Sequence, residues 1–393
     1  MRFLHDYIKK IKPLFEKGAK YGRFHSTFEA FETFLFVPDK VTCEGCHVKD
    51  SLDMKRTMSI VVLALVPCLL FGMWNTGYQH YLAVGAVYDH TVFFIDAFLY
   101  GLKKVLPMLL VSYVVGLSIE FVFAEIRGHE VNEGFLVTGM LIPLVMPADL
   151  PLWMLALATA FSVVIGKEVF GGTGMNFVNP ALLARAFVFF AYPAYMSGDK
   201  VWVSGLREGA GILDGYSGET VLAQAAAGKS VFLNGIGGEY SFYDMFLGFI
   251  PGSVGETSTL AILIGAAILI ITGIGSFRIM VSVFAGGWIM ALLLNTFAIN
   301  SYMAMPPHYH MVLGGFAFGA VFMATDPVTA AQTNTGKIIY GLLIGLLAIL
   351  IRVLNPAFPE GMMLAILLMN VFAPLIDHYV VEANIRARKK RVK

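Results

Sequence analysis

Long apolar runs dominate this sequence and limit what it can fold into. Hydrophobic residues make up 57% of its 393 residues and charged residues only 14%, whereas an ordinary globular protein has about a quarter charged residues. Most of the runs approach the ~20 residues that a helix needs to cross a bilayer. The sequence therefore predicts an all-α polytopic membrane protein. The charged amphipathic segment after Met1 predicts no cleaved signal peptide.

Ten apolar segments are predicted to be transmembrane helices: 57–75, 105–124, 133–147, 152–170, 180–197, 259–274, 277–298, 309–324, 337–354 and 359–376. A further apolar segment, 89–102, is short and carries Asp89 and Asp96, which favours an interfacial position.

The predicted helices divide into five and five, so the second half would be inverted relative to the first. The predicted units are an N-terminal segment 1–56, a five-helix repeat 57–197, a polar loop 198–258, a second repeat 259–376 and a basic tail 377–393.

The distribution of Lys and Arg predicts the orientation in the membrane. The first 56 residues contain 11 of them and the tail after Asp377 contains six, whereas segment 198–258 contains three. Cytoplasmic segments carry an excess of Lys and Arg. Both termini are therefore predicted to be cytoplasmic, and an even number of spans then places 198–258 outside.

Two predicted interruptions lie at comparable places in the two halves, at 171–187 and 322–336. Each contains an Asn-Pro or Asp-Pro step, which disfavours continuous helix. Broken helices at such places form binding sites in transporters with inverted repeats. Ordinary helix ends at loops are the alternative.

Three carboxylates lie within or beside predicted spans, and these are Glu120, Asp326 and Asp377. A charge in hydrocarbon is costly, so such residues indicate a cation or proton path. A helix end that faces lipid headgroups is the alternative for Asp377 and partly for Asp326.

Two polar patterns beside the spans fit ligand binding. In HEVNEGFL, Glu133 and Phe135 stand at the mouth of the third span, which fits either a quinone head or interfacial anchoring. Asn176 and Asn179 offer amide donors and acceptors to a polar ring system near the first interruption.

The remaining motifs are weak evidence for a haem, metal or catalytic site. CEGCH matches a c-type haem pattern, but it lies in the cytoplasmic segment, so incidental thiols at Cys43 and Cys46 are favoured over haem or a metal shared between subunits. There is no phosphate-binding loop and no hydrolytic motif. We therefore expect no catalytic side chain, no metal site and no nucleic-acid partner.

Several long strings resemble the B subunit of the Na⁺-translocating NADH:quinone oxidoreductases. The strings include HEVNEGF, GKEVFGGTGMNFVNPAL, DGYSGET, LGGFAFGAVFMATDPV and FAPLIDHYVVE. The resemblance extends from the N-terminal segment to the tail. It implies a urea-transporter-like fold with two inverted five-helix repeats, in a bacterial inner membrane.

The resemblance implies a covalent FMN that is joined through its phosphate to the hydroxyl of Thr220. Asp214, Ser217 and Gly218 match the rest of the motif that a dedicated flavin transferase recognises, and Glu219 departs from the usual alanine. A second Gly-Glu-Thr string ends at Thr257 but lacks the leading aspartate.

Further implications of the resemblance concern ligands and partners. They are a noncovalent riboflavin near Asn176 and Asn179, a quinone site around Gly116, Glu133, Gly134 and Phe135, and a cation path through Glu120, Asp326 and Asp377. The expected partners are five other subunits, one of which binds NADH, together with quinone, Na⁺ and membrane lipid.

Two alternatives stand beside this interpretation. One is the D subunit of an Rnf-type ferredoxin:NAD⁺ oxidoreductase, which we expect to lack the N-terminal extension of about 50 residues. The other is a passive solute channel, which would not require a flavin motif.

Overall fold

The computed structural model describes residues 2–15, 54–86, 93–127, 134–209, 211–355 and 360–392, with isolated positions 22, 25, 27, 28, 32 and 45. Within this part of the chain the regular secondary structure is helical, apart from one β-bridge between Leu233 and Glu239. This confirms the all-α class for the described residues. Their fourteen α-helices are α1 (Arg2–Phe15), α2 (Met54–Val84), α3 (Phe93–Arg127), α4 (Phe135–Leu144), α5 (Leu152–Gly166), α6 (Pro180–Ala191), α7 (Val221–Ala226), α8 (Phe242–Leu247), α9 (Thr259–Ile271), α10 (Phe277–Thr296), α11 (Pro307–Val312), α12 (Phe316–Phe318), α13 (Asn334–Leu354) and α14 (Met362–Val392).

Six helical segments of the described residues are long and apolar enough to cross a membrane: Lys55–Val84, Phe94–Arg127, Leu152–Phe170, Phe277–Thr296, Asn334–Leu354 and Met362–Arg391. The chain is therefore a multi-pass membrane protein. Three further apolar helices, α4, α6 and α9, have only 10, 12 and 13 residues. Since ~20 residues are needed to span the bilayer, these three do not cross it alone.

The apolar segment 89–102, in its described part, is continuous with the predicted span that follows it. Residues 93–102 form the beginning of α3, which runs for 35 residues to Arg127. Asp96 lies in the first turn of α3, where a carboxylate is favoured by the helix dipole. Lys104 does not end the helix because it pairs with Asp149 at 2.8 Å. Asp89 lies outside the described residues.

The predicted span 309–324 is not one helix. Helix α11 ends at Val312, and Gly314 and Gly315 have φ values of +60° and +65°, a left-handed conformation that favours glycine. The chain then continues through α12 into a π-helix at Gly319–Met323. The last predicted span, 359–376, continues as helix α14 through most of the basic tail.

The two predicted interruptions are present in part: residues 171–179 and 324–333 are not helical, whereas 180–187 belong to α6, 322–323 to the π-helix and 334–336 to α13. The chain between α5 and α6 contains one short 3₁₀ turn, Glu168–Phe170. The two interruptions meet, because the Asn179 amide nitrogen lies 3.5 Å from a carboxylate oxygen of Asp326.

The bundle has two ends that matter for function. We call the end that carries residues 192–258 the loop side, and the end that carries Arg127 and Lys167 the far side. Asp149 anchors the loop side, since it accepts hydrogen bonds from Lys104 Nζ (2.8 Å), Ser204 Oγ (2.7 Å) and the Gly205 N–H (2.6 Å). Burial alone would raise the pKa of Asp149, but these bonds outweigh burial and hold its pKa below the ordinary value of 3.8.

Loss of this anchor should loosen the loop. Because the folded pKa is depressed, the stabilisation is complete above about pH 4 and is lost as pH falls through the folded value. We expect Asp149→Asn to weaken the anchor by about 1–3 kcal/mol at neutral pH and to speed proteolysis within 192–258. Glu239→Gln, at an exposed carboxylate of the same loop, should be cleaved at the rate of the parent. Equal cleavage rates for Asp149→Asn and Glu239→Gln would contradict this account.

Candidate functional site

Two cavities lie at opposite ends of the bundle. The loop-side cavity measures about 440 Å³ and is lined by Arg185, Trp202, Glu219, Thr220 and Glu360, among others. The far-side cavity measures about 110 Å³ and lies where the two interruptions meet. Gly134, Lys167, Asn176, Asn179 and Asp326 are among its lining residues.

Thr220 stands at the edge of the loop-side cavity and is partly exposed. It is the N-cap of α7, and its Oγ1 accepts a hydrogen bond from the Ala223 N–H at 3.2 Å. Asp214 and Ser217 are exposed, whereas Gly218 is buried. A Cβ at position 218 would lie 2.5 Å from the Asp199 carbonyl oxygen, so only glycine allows this approach. The segment thus presents the Thr220 hydroxyl beside a cavity.

The two Gly-Glu-Thr strings differ in the burial of their threonines. Thr257 is only 4% exposed, so another enzyme has no access to its hydroxyl in the folded chain. Glu219, the residue that departs from the usual motif, pairs with Lys229 at 2.7 Å on the surface. Such exposed pairs contribute ~0–1 kcal/mol, so Glu219 adds little to the shape of this segment.

Asn179 and Asn176 border the far-side cavity, but they are not equivalent. Asn179 Oδ1 caps α6 by accepting hydrogen bonds from the N–H groups of Ala181 (3.0 Å) and Leu182 (3.3 Å). Asn176 Nδ2 donates to the Val178 carbonyl at 3.2 Å. Within the described residues Asn176 makes no other side-chain hydrogen bond, so its amide oxygen is available to a ligand.

Glu120 is buried and forms an ion pair with Lys167, whose side chain is also buried. Lys167 was not singled out by the sequence analysis. The available signal was a lysine inside the apolar segment 152–170, where an unpaired charge would be too costly. The structure thus brings a predicted cation-path residue to the border of the far-side cavity through Lys167.

Asp326 and Asp377 both hold the second interruption. Asp326 accepts hydrogen bonds from the Val328 N–H (3.1 Å) and Thr329 Oγ1 (3.0 Å). Asp377, which projects from α14, accepts from the N–H groups of Gln332 (2.6 Å) and Thr333 (3.0 Å). Both carboxylate oxygens of Asp377 therefore have partners within the protein.

Gly116 and Phe135 are direct neighbours. Phe135 is completely buried, its ring lies 6.4 Å from that of Tyr113 in a T-shaped arrangement, and a Cβ at position 116 would overlap it. Gly134 lines the far-side cavity, whereas Phe135 is not among its lining residues. Glu133 lies outside the described residues.

Gly116→Ala should therefore force the Phe135 ring to move. Overpacking of this kind costs about 1–3 kcal/mol, and we expect a lower unfolding temperature for the detergent-solubilised protein. Adding Phe135→Leu to Gly116→Ala removes the ring and should recover part of the loss. Ser118→Ala, at an exposed position of the same helix, is the control. A double variant no more stable than Gly116→Ala alone would show that the ring is not the obstacle.

A buried cluster on the loop side was missed from the sequence. Arg185 is only 3% exposed and hydrogen-bonds to Glu256 at 2.6 Å and to Glu360. The three residues come from α6, from the segment before α9 and from the turn before α14. Because Glu256 and Glu360 lie 71 and 175 residues from Arg185 in sequence, spacing gives no signal for the cluster.

Comparison with known proteins identifies the family. A family model described as "NQR2, RnfD, RnfE family" matches residues 41–386. The chain belongs to this family. Curated relatives include proteins from Chromohalobacter salexigens (49% identical, covering 99% of this chain and 96% of the relative), Ectopseudomonas mendocina (50%, 99% of both) and Pseudomonas aeruginosa (48%, 99% of both). Each of these relatives is named as the B subunit of a Na(+)-translocating NADH-quinone reductase.

Within the NQR2, RnfD, RnfE family, the chain is of the B-subunit type, as the resemblance predicted. The relatives match over essentially the whole chain, which includes the N-terminal extension of about 50 residues. The assignment to an NADH-quinone reductase rules out the alternative interpretation as a passive solute channel. The chain is therefore part of a multi-subunit complex.

Proposed function

We propose that this chain is the flavin-bearing membrane subunit of a redox-driven sodium pump. Electrons from NADH arrive through partner subunits, pass through two flavins carried by this chain, and reduce quinone, while Na⁺ moves outward across a bacterial inner membrane. The observation that carries the proposal is the position of Thr220: in a chain of the B-subunit type, the threonine of the flavin motif lines the larger of the two cavities.

The loop-side cavity fits a covalently held FMN. A phosphoester at Thr220 requires a hydroxyl that a flavin transferase can reach, and Thr220 is partly exposed, whereas Thr257 is buried. Trp202 offers an aromatic face to a ring system. The FMN would supply the electron-transfer chemistry, and this chain would fix its position.

The far-side cavity fits a noncovalent riboflavin. Asn176 offers an amide oxygen to a donor on the ring, and Lys167 brings a positive charge to the same cavity. Gly116, Glu133, Gly134 and Phe135 are assigned to the quinone site on the resemblance, supported by the contact between Gly116 and Phe135. Glu120, Asp326 and Asp377 are proposed as the cation path. Asp326 and Asp377 support this because they bind the second interruption, which contacts the first.

We further propose that the chain consists of two inverted five-helix halves with cytoplasmic termini. A pair of matched contacts supports the repeat. In the first half, Lys167 Nζ lies 5.9 Å from the centre of the buried Phe135 ring; in the second half, Arg352 Cζ lies 5.8 Å from the centre of the buried Phe316 ring.

The glycines behind these rings also match. A Cβ at Gly116 of α3 would overlap Phe135, and a Cβ at Gly287 of α10 would lie 2.6 Å from the Phe316 ring. Each half thus holds one phenylalanine between a helix glycine and a cation.

The flavin content of the purified complex tests this proposal. Mass spectrometry of the peptides from 198–258 should find FMN on Thr220 alone, and acid precipitation should release riboflavin without FMN. An unmodified Thr220 in active complex, or FMN recovered entirely in the soluble fraction, would overturn the flavin assignment.

A further inference from the structure

A third, small cavity of about 30 Å³ lies directly beside the loop-side cavity. Thr220 and Glu360 line both cavities. Ser253 and Thr257, in the segment that leads into α9, form one wall of the small cavity, and the unwound turn Leu313–Gly315 between α11 and α12 forms another.

Two hydroxyls of this small cavity lack a hydrogen-bond partner within the part of the chain that the structure describes. These are Ser253 Oγ and Thr257 Oγ1, on residues that are 2% and 4% exposed. The next two hydroxyls are satisfied, because Ser258 Oγ accepts from the Ala261 N–H and Thr259 Oγ1 donates to the Val312 carbonyl. Buried polar groups are nearly always satisfied, so the two oxygens of the small cavity indicate a ligand.

The charges around the small cavity balance within the chain itself. Arg185 pairs with Glu256 and Glu360, and the Arg352 guanidinium donates to the Glu360 carbonyl. Two arginines and two glutamates sum to zero. If Thr220 carries FMN, as proposed above, its phosphodiester adds one negative charge at the same cavity.

We propose that Ser253 and Thr257 form a Na⁺ site, completed by a carboxylate oxygen of Glu256. The site rests on the proposed function through the phosphodiester. Its donors are oxygens only, which suits a hard cation. A cavity of this size holds a single water-sized species. The Leu313 and Gly314 carbonyls of the unwound turn accept hydrogen bonds from Arg352, so the ligands come from the segment before α9.

This position gives the Na⁺ site a role in transport. Glu120, Asp326 and Asp377 belong to the far side, whereas the Ser253–Thr257 cavity lies on the loop side beside the flavin attachment. A cation bound there would occupy the last binding site before release, next to the FMN phosphodiester whose negative charge favours it.

Equilibrium binding of radioactive sodium to the purified complex tests the site, at constant ionic strength set with K⁺. Ser253→Ala and Thr257→Val each remove one ligand oxygen. We expect each to weaken one class of Na⁺ sites by about tenfold to a hundredfold, as for loss of a hydrogen bond to a charged group. Thr257→Ser retains the hydroxyl and should bind like the parent, as should Thr272→Val, whose hydroxyl donates to carbonyls of its own helix.

Covalent flavin fluorescence and gel filtration of each variant establish that the complex is folded and modified. Superimposable Na⁺ binding curves for the parent, Ser253→Ala and Thr257→Val would overturn the proposal and leave a buried water as the ligand. A parent that carries no flavin on Thr220 would contradict the proposed function instead, and the binding curves would still decide whether the hydroxyls bind Na⁺.

Discussion

Thr220→Val should abolish covalent flavin on this chain and leave the chain folded. The substitution removes the only oxygen that can form the phosphoester at this position, and valine nearly preserves the shape of threonine. It also removes the N-cap of α7, which costs about 0.5–2 kcal/mol. Because α7 has only six residues on the loop side, we expect this loss to stay local.

Fluorescence of the chain in a denaturing gel measures the effect after co-expression with the flavin transferase. Thr257→Val should keep the fluorescent band, because Thr257 is buried and lies outside the flavin motif. Thr220→Ser keeps both the hydroxyl and the helix cap, and should retain part of the band. A band that persists in Thr220→Val, or disappears in Thr257→Val, would assign the flavin to another residue.

Arg185→Gln should destabilise the whole protein. It leaves the carboxylates of Glu256 and Glu360 in a buried site without their shared cation. Breaking a buried ion pair by removing one partner costs about 3–5 kcal/mol, because the remaining charge is uncompensated. We expect a lower yield of monodisperse protein and a markedly lower unfolding temperature in detergent.

Removing the charges together separates this effect from a loss of packing. Glu360→Gln leaves Arg185 paired with Glu256 and should cost less than Arg185→Gln. The triple variant Arg185→Met, Glu256→Gln, Glu360→Gln removes all three charges, and replacing buried ion pairs by neutral groups is often nearly neutral. If Arg185→Gln unfolds at the parent temperature, the cluster does not stabilise the bundle.

The sequence predicted the class of fold and its interruptions because both depend on local chemistry. Apolar runs of sufficient length predict helices that cross a bilayer. The steps at Pro180 and Pro327 predict positions where a helix is interrupted. Helix ends were harder to predict. The predicted span 105–124 begins after Lys104, whereas α3 continues through Lys104, which pairs with Asp149; a partner 45 residues away leaves no local sign.

The candidate site likewise contains residues that local sequence indicates and residues that only tertiary packing reveals. Thr220 could be proposed from the sequence because its motif is contiguous, whereas the physical argument against Thr257 required its burial to be known. Glu120 was recognised as an intramembrane acid, but its pairing with Lys167 depends on the packing of α3 against the end of α5. Side chains that meet only through tertiary packing, such as Arg185 and Glu360, could not be placed together from one sequence.

Sodium transport by the complex that contains this chain tests the central claim most directly. The measurement is NADH-driven uptake of radioactive sodium into inside-out vesicles, with quinone as acceptor and a protonophore present. A primary sodium pump predicts uptake that requires NADH and persists or rises when the protonophore removes the opposing membrane potential. Uptake that the protonophore abolishes would mean that protons are pumped and sodium follows by exchange, and that result would contradict the account.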